Sequence, residues 1–422
     1  MSDFHSIGSF AKVRRGASPR PINNPDFFGG TVGWVRISDV TQRNNKYLKL
    51  TQQYLSPLGE SCSLRVDAGD LIMSICATVG KPMIVDIPAC IHDGFVQIYD
   101  INNADVEYLY YLLQFHEKDF EKRGQPGTQV NLNTTIVESE IVFLPHFEQQ
   151  QKIAKILSTV DKLIEKTQSL IDKYTAVKQG MMADLFTRGI DLTPGDNYGQ
   201  LRPSVTEAPA LYQNSELGWV PKDWEVIPID EISTQMTNGF VGVATPHYAN
   251  ESDSGIRYLY GNNVRADRLE LETVLKIKPE FHQKLRKSQL LHGDMLTVQS
   301  GHIGTSAIVP ANFGEANCHA LIITRLIKSR VIPEFLSYYL NSAIGMNRME
   351  EIFVGSTIKH VNVKELKSFL VPLPSIVEQK NFVLKIIGTH ELINNEKQQC
   401  EKHKLMKKGL MQDLLTGKIK VN

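Results

Sequence analysis

The chain has 422 residues, too many for one hydrophobic core, and its 42% hydrophobic and 22% charged composition is that of an ordinary folded protein. Its 46 basic and 46 acidic residues cancel, which excludes a uniformly basic coat but leaves room for a local basic patch. No apolar run approaches the roughly 18 residues that span a bilayer, no secretory core opens the chain, and five scattered cysteines without CxxC spacing make neither a disulfide framework nor a zinc site, so a cytoplasmic protein without membrane or metal is expected.

Taken in order, the chain first offers Lys12, Arg14, Arg15 and Arg20, a basic loop free of acids and interleaved with Gly16 and Pro19. Such a loop supplies phosphate contacts. Asn24-Pro25-Asp26-Phe27 is near the base-holding loop of amino-methyltransferases, but it lacks the second proline and a preceding Gly-rich cofactor loop, so it reads as a surface turn. Asp70 to Ala77 is a buried strand reached through a Gly-Asp turn, residues 83–85 are the next strand, and Glu107 to Phe115 is a short tyrosine-rich helix.

From Pro145 to Gly189 the pattern changes. Ile153, Val160, Tyr174 and Met181 recur at seven-residue spacing, interrupted by Thr167, and Ile156, Leu163, Leu170 and Val177 form a second such row. Leu157, Ile164 and Ile171 add a third. These rows predict a coiled-coil helix of roughly 35 to 40 residues, on the order of 55 Å long, with a stripe wide enough to touch more than one neighbour. A Pro- and Gly-rich linker follows, and a second unit opens near Trp219 and Trp224.

That second unit repeats the first. Pro145 to Ile190 aligns without gaps to Pro374 to Ile419 at an offset of 229. Gly69-Asp70-Leu71 matches Gly293-Asp294-Met295 at 224, and Glu107 to Leu113 matches Glu334 to Leu340 at 227. Asp294 to Gln299 and residues 307–309 are the corresponding strands. In the second long helix Ile386, Ile393 and Cys400 continue the seam, with Glu396 and His403 weakening it. The expected division is a globular unit at 1–144, a long helix at 145–190, a linker at 191–215, a second globular unit at 216–373 and a second long helix at 374–422. The fold class is α+β, with two mixed α/β units.

Catalytic constellations are missing from the sequence. There is no GxxxxGK[ST] loop for an ATP-driven motor, and His92 and His319, at similar places in the two units, stand without nearby ligands and read as structural. The basic residues are more informative. Lys284, Arg286 and Lys287 cluster in the second unit, Lys359 follows Gly355, and Arg36 and Arg257 sit beside Trp34 and Tyr258, where a guanidinium reaches base edges.

These features together resemble the specificity subunit of type I restriction-modification systems. Each long helix opens with Leu-Pro and then Glu-Gln (Leu144-Pro145 to Gln150; Leu373-Pro374 to Gln379) and closes with Asp184-Leu185-Phe186-Thr187 or Asp413-Leu414-Leu415-Thr416. Gly33 to Val40, the Gly-Asp turns and Gly355-Ser356-Thr357-Ile358-Lys359 also fit, although the first unit reads Gly127-Thr128-Gln129-Val130 there and has no counterpart of Leu217 to Trp224. The resemblance implies a non-catalytic subunit with two target recognition domains, each reading one half of a bipartite asymmetric sequence in double-stranded DNA. It further implies an antiparallel pairing of the long helices, which would set the half-site spacing. Two methyltransferase subunits would dock on them, carrying S-adenosylmethionine, and two motor/restriction subunits would join through these. On the residues alone, a coiled-coil scaffold without DNA binding is the alternative.

Overall fold

The structure, a computed structural model, describes residues 3–41, 46–123, 131–250, 254–355 and 359–421. They form two compact units, Met1–Ser169 with Glu396–Asn422, and Leu170–Asn395, so each unit takes a part of both long helices. No described helix is long and apolar enough to cross a membrane.

In the first unit a five-stranded sheet runs in the order Lys12–Arg15, Phe95–Tyr99, Leu71–Ser74, Pro82–Val85, Tyr47–Leu48. A four-stranded sheet runs Gln53–Leu55, Phe28–Val35, Ala89–Ile91, Leu64–Val66, its middle pair parallel. Leu71–Ser74 is buried on both faces, and the turn before it works because Gly69 takes φ +97° while the Asp70 carboxylate accepts from Asp67 N at 2.8 Å. The tyrosine helix is Val106–Phe115, capped by Asp105, which accepts from Tyr108 N at 2.9 Å. Tyr108 is fully buried, and its hydroxyl donates to Phe143 O at 2.7 Å.

The second unit has sheets in the corresponding order. One is Ser233–Asn238, Leu321–Leu326, Met295–Val298, Ser306–Ile308, and the other is Leu275–Ile277, Ile256–Leu259, Ala316–Cys318, again with a parallel pair. Gly293 at φ +87° makes the same turn, and the buried Asp294 there takes two bonds from Arg325, both 2.9 Å.

The long helices are Phe147–Arg188 and Ile376–Leu414. In the first unit Ile153, Ala154 and Leu157 share one core with Met411, Leu414 and Leu415. In the second, Met182, Leu185 and Phe186 share another with Phe382 and Ile386. Phe382 meets Phe186, Phe335 and Trp224 with ring centroids 5.8, 5.6 and 6.1 Å apart, contacts worth roughly 0.5–1.5 kcal/mol each beyond burial.

The buried stripe differs from the expected pairing of rows. Ile153, Val160, Ile386 and Ile393 are buried, and Ile156 packs at the edge of the first core, with Leu170 half-buried. Leu163 and Val177, however, are 39% and 52% exposed. The buried seam instead joins the third row, Leu157 and Ile171, to the first, in which Ile153, Val160 and Thr167 are buried, Thr167 at 6% exposure. Its hydroxyl is satisfied by Leu163 O at 2.7 Å and lies 3.5 Å from His403 Nδ1, which removes the desolvation cost that made it look like an interruption.

The linker expected at 191–215 is built into the second unit. Its strand Tyr212–Ser215 pairs with Gly218–Pro221, and Arg202 is buried against Glu378, itself 1% exposed. Arg202 reaches Glu378 at 2.6 and 3.2 Å and Asp223 at 2.8 Å, while Ile190 N and Trp224 Nε1 donate to the same Glu378 carboxylate at 2.7 and 3.1 Å. Four hydrogen bonds on one buried carboxylate leave neither oxygen unpaired.

Candidate nucleic-acid interface

In both units the first sheet strand ends in a loop that leaves the sheet through a glycine. Gly16 N donates to Phe95 O at 2.9 Å and Ala17 N to Ile91 O at 3.1 Å. Gly239 N donates to Leu321 O at 2.7 Å and Phe240 N to Cys318 O at 2.9 Å. A Cβ at either glycine would fall 2.2 Å from His92 O or 2.6 Å from Cys318 O, so only glycine lets the backbones approach.

The first unit's basic segment is a loop only at Arg20, because Lys12, Arg14 and Arg15 lie on the strand Lys12–Arg15, and it is less free than its sequence implies. Its four cations have no acid beside them in the chain, but the fold brings two. Lys12 pairs with Asp100 at 2.6 Å and Arg20 with Asp93 at 2.8 Å, while Arg15 Nε donates to Asp93 O and Arg14 Nε to Gln97 Oε1, both at 2.7 Å. Arg14 also lies 4.7 Å over the Tyr99 ring. All four side chains remain exposed at the surface. Burial opposes ionisation of Asp93, but Ser18, His92 and Arg20 outweigh it and hold the carboxyl below its usual range.

Arg36 and Arg257 do not play equivalent parts. Trp34 pairs with Cys90 and Tyr258 with Asn317, so Arg36 follows its paired aromatic and Arg257 precedes it. Arg36 is exposed, 5.3 Å over Trp34, and donates to Gln53 Oε1 at 3.2 Å. Arg257 lies 5.1 Å over Phe313, not over Tyr258, and donates to the Phe313 carbonyl. Tyr258 itself is fully buried.

In the second unit Lys284, Arg286 and Lys287 come together with Asn238, Gly239 and Phe240 around a cavity of about 430 Å³. All three cations are exposed, and none pairs with a described acid. Lys359 is exposed too, and most of its motif, residues 356–358, lies outside the described residues, as do 127–130 of the first unit.

The two histidines are structural in the geometry shown. His92 Nδ1 accepts from Gly94 N at 2.9 Å, and His319 stacks on Tyr260 at 4.8 Å with its Nδ1 3.2 Å from the Tyr258 hydroxyl. Burial lowers both pKa values, with Asp93 opposing at His92. Among the described residues one trio, His116, Asp119 and Glu140, has metal-ligating composition, but Arg123 already holds the Glu140 carboxylate at 2.7 Å. Asp93, Asp100 and Phe313 are invisible as partners in the sequence because they are remote along the chain. Val241 and Val243 carry no charge, the signal by which the other residues stand out.

Residues 2–173 and 221–402 each match the sequence model of the type I restriction modification DNA specificity domain. The MjaVIII specificity subunit of Methanocaldococcus jannaschii is 28% identical over 425 residues, covering 98% of this chain and 92% of the relative. The EcoBI specificity subunit of Escherichia coli is 21% identical over 360 residues, covering 84% and 72%. Among solved structures, the S subunit from M. genitalium shares the fold with a TM-score of 0.55 at 13% identity, covering 98% of this chain and 95% of that one. A chain from a type I restriction-modification assembly does so with 0.61 at 15%, covering 99% and 98%. With the domain matched twice and the similarity running along almost the whole length, the chain belongs to the DNA specificity subunits of type I restriction-modification systems, the non-catalytic component of those enzymes.

Proposed function

We propose that this chain reads a bipartite, asymmetric sequence in double-stranded DNA, one half with each unit, and presents it to two methyltransferase subunits and, through them, to motor/restriction subunits. The observation that carries this reading is the coincidence of each matched domain with a sheet pair whose glycine-gated loop lies among exposed cations. Lys12, Arg14, Arg15, Arg20 and Arg36 serve the first half-site, and Arg257, Lys284, Arg286, Lys287 and Lys359 the second. The two units descend from one duplicated unit, as their matching strand orders support.

The long helices pair antiparallel in this reading. The start of the first shares a core with the end of the second, and the end of the first with the start of the second. Together they act as the spacer between half-sites, and the exposed flank at Leu163 and Val177 is left for a methyltransferase. S-adenosylmethionine belongs to that partner, and the complex works in the cytoplasm. Purified with its methyltransferase, the chain should protect a split site of unequal halves. Seven residues inserted between Ile164 and Val177, with a matching insertion in the second helix, should change the gap and leave both half-site sequences alone. Protection of one continuous site, or altered half-site letters, would overturn the reading.

A further inference from the structure

The loop that follows Ser233–Asn238 has a firmly held base and an apolar tip. Its base is fixed by the Gly239 and Phe240 amides, and the Phe240 ring sits 5.2 Å from Phe281 and 6.2 Å from His319, edge-on to both. Beyond it, Val241 and Val243 are 69% and 75% exposed, more than any other large hydrophobic residue among those described. Gly242 separates them at φ +157°, where a Cβ would meet the Phe240 ring at 2.8 Å, so the bend between the valines requires glycine. Two β-branched side chains on such a base are stiff and prearranged for contact.

The surroundings bear on the kind of partner such a tip fits. The same Phe240 lines the cavity with Lys284, Arg286 and Lys287, three exposed cations without a described acidic partner. An apolar tip that begins one residue past a cavity lined by unneutralised cations suits a polyanion that displays apolar groups between its charges. Duplex DNA does this in the major groove, where the thymine C5-methyl is the apolar group shown between phosphate rails. The first unit gives an independent comparison. The matching bonds of Ala17 N to Ile91 O and Phe240 N to Cys318 O place Ser18 and Arg20 where the second unit has Val241 and Val243. Ser18 and Arg20 are engaged with Asp93 at 2.9 and 2.8 Å, so one loop is polar and internally bonded while its counterpart is apolar and uncovered.

We propose that Val241 and Val243 are specificity-determining residues that pack on thymine C5-methyl groups of the half-site read by the second unit, while Lys284, Arg286 and Lys287 hold the adjacent phosphates. This rests on the reading of the chain as a DNA specificity subunit. The test uses the full chain assembled with its methyltransferase on a site defined by mapping methylated bases. Thymines of the second half-site are replaced one at a time by uracil, which removes only the methyl group. At one or two positions the replacement should weaken binding roughly fourfold, the worth of a buried methyl. Val243→Ala or Val241→Ala should cause a similar loss and abolish the response to uracil at that position, with the response at first half-site positions unchanged.

Valine variants that keep the wild-type ratio between thymine and uracil duplexes would overturn the proposal, as would a second half-site made only of G·C pairs. If alanines at Lys284, Arg286 and Lys287 weaken binding while the valine variants behave as wild type, the DNA reading stands and the methyl contact falls. Absence of binding to any duplex by the intact complex sinks both.

Discussion

Gln150 and Gln379 do the same work in the two units, and the residues just before them do not. Gln150 donates to Asn103 O and Pro145 O at 3.1 and 2.8 Å and accepts from Asp105 N at 2.8 Å. Gln379 repeats this with Arg330 O, Pro374 O and Ile332 N at 3.0, 2.8 and 2.8 Å. Each glutamine therefore ties the first turn of a long helix to the backbone just ahead of a tyrosine-rich helix. Their neighbours diverge. Gln149 makes one bond to Val421 O at 3.2 Å, whereas Glu378 is the buried hub that holds Arg202, Ile190 and Trp224. A neutral clamp recurs wherever a long helix leaves a sheet unit, and a charged one is added where the chain must also fasten the segment between the units.

The sharpest way to break this comparison is to remove the charge that Glu378 faces. Arg202→Ala leaves a carboxylate at 1% exposure without its cation and should cost about 3–5 kcal/mol, read as a fall in the urea midpoint followed by tryptophan fluorescence. Gln149→Ala, the corresponding position in the first unit, should cost less than about 1 kcal/mol. Equal losses would show that the two helix starts are braced alike. Next in size, Gln150→Ala and Gln379→Ala should each cost about 1–3 kcal/mol, because each leaves a partly buried backbone donor and two carbonyls without these partners. Unequal effects would mean the recurring clamp is not the shared element.

Much of this architecture was legible in the sequence because it rests on local rules. The long helices announce themselves by heptads, and the strands by Gly-Asp turns whose glycines, Gly69 and Gly293, do take positive φ. Partners brought from afar were not legible. Asp93 and Asp100 neutralise cations that look unopposed in the chain, and Arg202 looks like linker until Glu378 is placed beside it. The choice of seam was ambiguous for another reason. Three rows recur at heptad spacing, one of them interrupted by Thr167, and only the packing partner decides that Leu157 and Ile171 are buried while Leu163 and Val177 are not.

The two candidate DNA faces differ in how far their cations are already paired. Replacing Lys284, Arg286 and Lys287 together by alanine should lower the slope of log affinity against log salt by up to about 3, near 0.9 for each phosphate that is no longer neutralised. Replacing Lys12 and Arg20 should lower it by less per residue, since Asp100 and Asp93 partly neutralise them and would be released. Salt titrations of the methyltransferase complex distinguish the two, and equal slopes per cation would erase the contrast.

The histidines should make the units alike again. Burial lowers the pKa of both His92 and His319 from 6.5, so between the folded value and 6.5 the unfolded chain binds more protons. Stability therefore falls as the pH drops through that window and is regained above it. His92→Gln and His319→Gln should each flatten the decline measured by thermal unfolding between pH 7 and 5.

The smallest effect is expected on the flank of the first long helix, and its smallness is the point. Leu163→Ser and Val177→Ser remove side chains that are 39% and 52% exposed, so neither opens a cavity and each should change stability by no more than about 0.5 kcal/mol. Leu157→Ala, one row away and fully buried, should cost about 2–5 kcal/mol. If Leu163 and Val177 cover a methyltransferase, the serine variants will fold normally and yet co-purify with less of it. A large loss of stability would instead return them to the seam between the helices, and normal assembly would leave this flank without a partner.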